Sequence, residues 1–327
     1  MQLRSLLPAI VLAVTLPSAV SCSLNRMAVR AVADALTSDG GSEVFTGDDD
    51  PELVGDALPF AVKMYESLIV QAPDHEGLKL TTGSLFVMYA NAFVQTPAEG
   101  LPQDLFAERA AQLARAKRLY LRGKGILVDG LELRHPGFAK AFAEGRLDAE
   151  LRRMKKDDVP FLYWTAAAAM AAFALDPFDV QLSVRVGEAK ATMARAYELD
   201  PDFGNGTIDD FYVSFYGSLP DGLGGDRALA RKHFDLAVRK TGGKSAGPFV
   251  SYAQAISVPT QNYAEFRSLL ESALAVDVDA DPSNRLANIL SQRRARRLLS
   301  SAEDLFLDTG EGDESPSDQI NEGEQQR

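Results

Sequence analysis

A chain of 327 residues, 46% of them hydrophobic, is long enough to bury a sizeable core, as one elongated domain or two compact ones. Its formal net charge of −12 argues against nucleic acid as a partner, because neutralising phosphates needs a basic surface. Nine acidic residues against one arginine between Glu303 and Arg327 place a net −8 in the C-terminal tail, so the body is only mildly acidic.

At the N-terminus, Arg4 precedes the apolar run Leu6 to Leu16. The run is shorter than the roughly 20 residues a bilayer span needs and reads as the core of a signal peptide over residues 1–21. Ala19, Val20, Ser21 and Cys22 resemble a bacterial lipobox, with alanine where leucine is commoner at the first position. Lipidation of Cys22 would make it the mature N-terminus; the competing reading is an ordinary secretory signal with a cysteine nearby by chance. Cys22 is the only cysteine in the chain, so it can form no internal disulfide, and none is left for metal or redox chemistry. Residues 22–58 then read as a lipidated N-terminus, a short amphipathic helix from Met27 to Leu36 and an acidic linker. Within the linker, Ser38 to Pro51 is rich in Gly and Asp and is expected as a solvated loop. Asp48, Asp49 and Asp50 lack the glycine and distant glutamate of a calcium loop.

From Pro59 to Leu307 the chain reads as helices in hairpins. A small residue, a bulky one four later and a small one three beyond that recur, the spacing by which tetratricopeptide helices touch and fill the gaps between repeats. Ala61, Tyr65 and Leu68 begin the series, with Pro73 in the following turn and Gly83 in the next helix. Ala116, Tyr120 and Gly123 follow, then Ala189, Met193 and Ala196 with Pro201, then Ala230, Phe234 and Ala237, and finally Phe266, Leu270 and Ala273. First positions lie 55, 73, 41 and 36 residues apart, so the array is not regular, and insertions are expected at Thr96–Asp104 and Gly125–Asp158. The predicted fold is all-α: degenerate tetratricopeptide-like hairpins forming an α-α superhelix over residues 59–307. A generic bundle of alanine-rich helices is the alternative.

The most apolar helix spans Phe161 to Leu175, where seven alanines admit close neighbours. It carries Tyr163 and Trp164, and fifteen residues are too few to span a membrane. After Pro201 a turn leads to a helix from Ile208 to Leu219, on which Phe211 and Phe215 share one face and Tyr212 and Tyr216 another. Core packing explains each of these rings singly. Together, Tyr163, Trp164, Phe211, Tyr212, Phe215 and Tyr216 are the candidate lining of an apolar ligand site.

Two chemical motifs fail on inspection. Gly242-Gly243-Lys244-Ser245 ends like a phosphate-binding loop, but Val238 occupies the place of its first glycine and a helix precedes it. Asp277 to Pro282 begins like a calcium loop, yet proline replaces glycine and Asn288 stands where the glutamate belongs; Asp281 reads instead as a helix cap. The histidines at 75, 135 and 233 are scattered, so no metal site is expected, and no catalytic set or cofactor site emerges. The last helix turns basic at Arg293, Arg294, Arg296 and Arg297, a candidate contact for an acidic partner or an anion, or simply a solvated final turn. Residues 308–327 are expected to be a disordered acidic tail.

The segments DVPFLYWTAAAAMAAF, ELDPDFGNGTIDDFYVSFYGSLP, GGDRALARKHFDLAV, TGGKSAGPFVSYAQAISVPTQNYAEFRSLLESALA and RLANILSQRRARRLL closely resemble the TRAP transporter T component (TatT) family. The resemblance covers about Met27 to Leu307. It implies a periplasmic protein lipid-anchored to the membrane, the outer membrane being the expected one, that forms homo-oligomers, trimers above all. It further implies an internal cavity for apolar or carboxylate ligands and association with the extracytoplasmic substrate-binding protein of a TRAP transporter. The expected function is a non-enzymatic accessory to solute uptake. A lipid-anchored scaffold for envelope assembly or secretion is the alternative, and an envelope hydrolase the enzymatic one.

Overall fold

The computed structural model describes residues 26–309. The signal peptide, Cys22 and nearly all of the acidic tail lie outside the described residues. Among those described, every regular element is a helix. The chain divides into two units between Phe203 and Gly204. At that point Gly204, Asn205 and Gly206 have φ of 56°, 52° and 99°, a run of left-handed backbone through which no α-helix continues.

The first unit contains α1 (residues 26–37), α2 (Asp39–Thr46), α3 (Pro51–Gln71), α4 (Glu76–Tyr89), α5 (Thr96–Glu99), α6 (Phe106–Arg134), α7 (Phe138–Glu144), α8 (Asp148–Arg153), α9 (Val159–Leu175), α10 (Val180–Ser183) and α11 (Val186–Leu199). The Asp50 carboxylate accepts from the Leu53 N–H at 3.0 Å to start α3, and Pro51 at its first position needs no partner for a missing N–H. His75 starts α4 the same way, its Nδ1 accepting from the Leu78 N–H at 3.1 Å.

Helix α4 packs on α6, and α6 and α11 both pack on α9. The small-bulky-small residues sit at these seams: Ala116, Tyr120, Ala189, Met193 and Ala196 are all buried. Glycines bring α4 and α6 into backbone contact. A Cβ on Gly123 would lie 2.8 Å from the Gly83 carbonyl oxygen, and one on Gly83 would lie 2.4 Å from Leu127 Cγ. Lower on α6, Gly130 leaves room for the ring of Phe161, 2.2 Å from where its Cβ would be.

The helical segment from Lys156 through α9 runs for 20 residues, not the fifteen expected, so length alone does not rule out a membrane span; 56% of its apolar window is buried within the protein. Its alanines at 166, 168 and 172 are fully covered. That is the pattern of a core helix enclosed by neighbours.

Two expected element boundaries in this unit are also corrected. Residues 39–46 of the Gly-rich linker form a helix, α2, of two turns; in so short a piece local propensity decides little. The insertion expected from Gly125 does not begin there, because α6 runs unbroken for 29 residues to Arg134. Gly125 sits exposed inside the helix with nothing near it, whereas Gly123 and Gly130 are close-approach points whose packing offsets about 1 kcal/mol of helix propensity each.

The second unit contains α12 (Thr207–Ser218), α13 (Arg227–Lys240), α14 (Gly247–Tyr252), α15 (Tyr263–Leu274), α16 (Arg285–Ser300) and α17 (Ala302–Leu305). Asp226 and Asn262 accept from the Leu229 and Glu265 N–H groups and so cap α13 and α15. Ala230, Phe234, Ala237, Phe266, Leu270 and Ala273 are buried, extending the same packing scheme. Phe266, Leu270 and Ala273 form one core with Ala295 and Leu298 of α16 and Phe306 beyond α17. Asp281 does not cap the next helix as expected; it accepts from the Ser283 hydroxyl at 2.7 Å, and a 3-10 turn from Pro282 to Asn284 intervenes.

Candidate functional site

In the second unit α12 carries the chain's densest group of rings. Spacing of four residues stacks Phe211 on Phe215, with centroids 6.0 Å apart, and Tyr212 on Tyr216 at 5.3 Å. Both tyrosines also lie on the imidazole of His233 from α13, at 4.8 and 5.7 Å. Tyr212 and Phe215 are buried; Phe211 and Tyr216 are half-buried and keep ring surface accessible. Burial, then the nearby Asp226 charge, push the Tyr216 hydroxyl above its ordinary pKa.

Beneath the rings lie two adjacent aspartates. Asp209 is fully buried; its Oδ1 is 2.7 Å from His233 Nδ1 and its Oδ2 2.8 Å from Lys240 Nζ. These partners offset the cost of burying its charge. Asp210 is less well compensated: burial pushes its carboxyl up to about 6, against a Ser251 hydrogen bond and the Arg294 charge that pull it down. Gly247 makes room for it, since a Cβ there would lie 3.1 Å from Asp210 Oδ2.

At the end of α12 a pocket of about 360 Å³ opens between Gly217, Ser218, the Leu219–Asp221 loop, Arg227, Gln254, Ala255 and Pro259. Leu219, Pro220, Ala255 and Pro259 supply apolar wall; Ser218, Arg227 and Gln254 supply donors. Such a mixture fits a small polar-headed ligand with an apolar body.

Gln254 belongs to a π-helical turn, Ala253–Ser257, that continues α14. The first unit has a counterpart: α4 continues into a π-helical turn, Ala90–Gln95. The sequences match as well, FVMYANA at 86–92 and FVSYAQA at 249–255. In both, the valine and the alanine after tyrosine are buried. In both, an arginine covers the tyrosine ring at 5.6 Å, Arg115 over Tyr89 and Arg231 over Tyr252. The paired amides Asn91 and Gln254 therefore occupy equivalent places. Turns of this kind widen a helix locally and concentrate at functional sites. The seven-residue repeat was the available signal; a search at tetratricopeptide spacing passes over it because its copies lie 163 residues apart.

The remaining predicted residues fall elsewhere. Tyr163 and Trp164 are in the first unit, edge to face at 5.0 Å, with Tyr163 also 5.3 Å from Phe203. Trp164 packs on a core that includes Val87, Ala116 and Tyr120. The four arginines of α16 do not form one patch: Arg293 and Arg296 are exposed, whereas Arg294 and Arg297 are half-buried. Each histidine has found an aspartate, His75 with Asp34, His135 with Asp158 and His233 with Asp209. Among the described residues no three His, Cys, Asp or Glu side chains converge as a metal site would require. Asp209, Asp210, Arg227, Lys240 and Gln254 carried no motif in the sequence, because their partners come from other helices.

Among the described residues, the fold and site define an all-helical protein with a cluster of stacked aromatic rings, a pocket of mixed polar and apolar lining and buried ion pairs. The family model for the TRAP transporter T-component matches residues 47–306, and the chain belongs to that family. An uncharacterized protein of Treponema pallidum (strain Nichols) is 38% identical over 302 residues, covering 88% of this chain and 94% of the relative. The family is one of transporter accessory components and not of enzymes, and it ties the chain to a TRAP system of the cell envelope.

Proposed function

We propose that this protein is a lipid-anchored, non-enzymatic accessory of a TRAP-type uptake system that binds the extracytoplasmic substrate-binding protein and takes a small ligand into its own recesses. The observation that carries the reading is the family match over residues 47–306, nearly the whole described chain. Cys22 at the end of a signal-like segment supports a lipid anchor in the periplasm. The proposed apolar contacts are, within the first unit, half-buried Trp164 backed by Tyr163 and, within the second, half-buried Phe211 and Tyr216 backed by Tyr212 and Phe215. Exposed Arg293 and Arg296, with Arg294 and Arg297 behind them, are the proposed contacts for an acidic partner or an anionic ligand. Homo-oligomers, trimers above all, are part of the proposal.

The test is a pull-down from membrane extract with tagged full-length protein. Recovery of the transporter's substrate-binding protein is expected. Recovery of envelope-assembly factors without it would overturn the reading in favour of a scaffold. Cys22→Ser is expected to move the protein from the membrane to the soluble fraction; a variant that stays on the membrane refutes the anchor.

A further inference from the structure

Helix α1 is apolar on two sides, and only one of them is docked on the first unit. Ala33 is fully buried, Val29, Leu36 and Thr37 are half-buried, and these residues define its inner side. Its polar residues serve the contact with the body. Arg30 pairs with Asp74, Asp34 Oδ1 lies 3.0 Å from His75 Nε2, and the Leu36 carbonyl accepts from the Tyr65 hydroxyl at 3.0 Å. At 100° per residue, the face opposite Ala33 holds Met27, Ala28, Ala31, Val32 and Ala35, with no charge between them. All five are exposed, Met27 to 67% and Val32 to 50%. With Val29, Ala33 and Leu36 covered by the body, this second apolar side is left for something else to cover.

Its distance from Cys22 identifies the cover. Cys22 precedes the first residue of α1, Arg26, by four peptide steps, at most about 14 Å of chain. A lipid on Cys22 inserted in a bilayer therefore holds α1 within reach of the interface. We propose that α1 lies along the membrane surface with Met27, Ala28, Ala31, Val32 and Ala35 against the lipid, as a second attachment beside the acyl anchor. The inference rests on the lipid-anchor reading. Its physical sense is that one attachment leaves a protein free to swivel, whereas an interfacial helix beside it sets which face of the first unit looks into the periplasm.

Cys22 is the only cysteine in the chain, and lipid would occupy its thiol, so an introduced cysteine is a unique labelling site. Full-length lipidated Ala31→Cys carries a polarity-sensitive fluorophore into phosphatidylethanolamine–phosphatidylglycerol vesicles. Ala194→Cys, on an exposed position of α11, is the comparison. A blue shift at position 31, with loss of emission when the vesicles contain nitroxide-labelled lipid, and neither effect at position 194, is the expected result. Protein that floats with the vesicles while both labels stay equally wet overturns the proposal and leaves the anchor standing. A blue shift at position 31 in lipid-free Cys22→Ser protein assigns the cover to a second copy of the chain and also overturns it. Failure to float refutes the anchor, and the proposal with it.

Discussion

Replacing Asp210 by Asn tests the energetics of the second unit. Asp210 is enclosed between α12, α14 and α16, and its carboxyl is held at about 6 instead of the ordinary 3.8. At about 1.4 kcal/mol per pH unit, that difference means that keeping the buried group charged costs roughly 3 kcal/mol, with the attraction of Arg294 already included. The sign follows from protons bound. The folded state holds its proton more tightly than the unfolded chain, so the group favours folding most below about 3.8, and this contribution is lost as pH rises through about 6. Asparagine accepts the Ser251 hydrogen bond without ionising. The variant is therefore expected to be more stable than the parent at pH 8 by up to roughly 3 kcal/mol, with the gap closing towards acid. Trp164, the only tryptophan, lies in the first unit, so its fluorescence is a poor probe of this change. Hydrogen exchange of the α12 amides, corrected for intrinsic rates and measured across pH, reads the second unit directly. A variant less stable than the parent at pH 8, or a difference that does not change with pH, would refute the reasoning.

Other outcomes follow from the same geometry. Gly123→Ala should cost about 1–3 kcal/mol, because its Cβ meets the Gly83 backbone oxygen and backbone cannot step aside. Gly125→Ala, two residues along on the same helix with nothing within 4 Å of its Cβ, should gain about 0.5–1 kcal/mol. Opposite shifts in the thermal midpoint check the pair, and equal shifts would contradict the packing at the α4–α6 seam. Asp209→Ala should destabilise by about 3 kcal/mol or more, since it removes the carboxylate facing both His233 and Lys240; urea unfolding followed by circular dichroism is the measurement. If the pocket at the end of α12 takes a carboxylate, Arg227→Gln should weaken retention of hexanoate while leaving hexanamide unchanged. Calorimetric titration with both would sink the idea if the variant bound hexanoate as the parent does.

The sequence by itself determined the helical class and most of the seams. Ala189, Met193 and Ala196 announce a packed face because helical spacing repeats locally, and a periodicity of three and four needs no knowledge of what lies opposite. The stacked pairs on α12 were legible for the same reason. The weak points were glycines, whose meaning depends on what approaches them. Gly83 was legible as a small helix-contact residue, but only the structure sets its backbone against Gly123 and leaves the exposed Gly125 inside an unbroken helix.

Tertiary structure alone decided the polar chemistry. Asp209 and His233 are 24 residues apart, and Asn288 reaches back across 42 residues to accept from the Ala246 N–H at 2.9 Å. No local pattern records such pairs. It also decided which way α1 faces. The sequence shows an amphipathic segment from Met27 to Leu36, but apolar residues lie on two of its sides and the pattern does not say which one docks. The body covers Val29, Ala33 and Leu36 and offers Asp74, His75 and the Tyr65 hydroxyl alongside them, so that side docks and Met27, Ala31 and Val32 are left outward. A one-dimensional hydrophobic period identifies a stripe; the groups across the seam determine where it points.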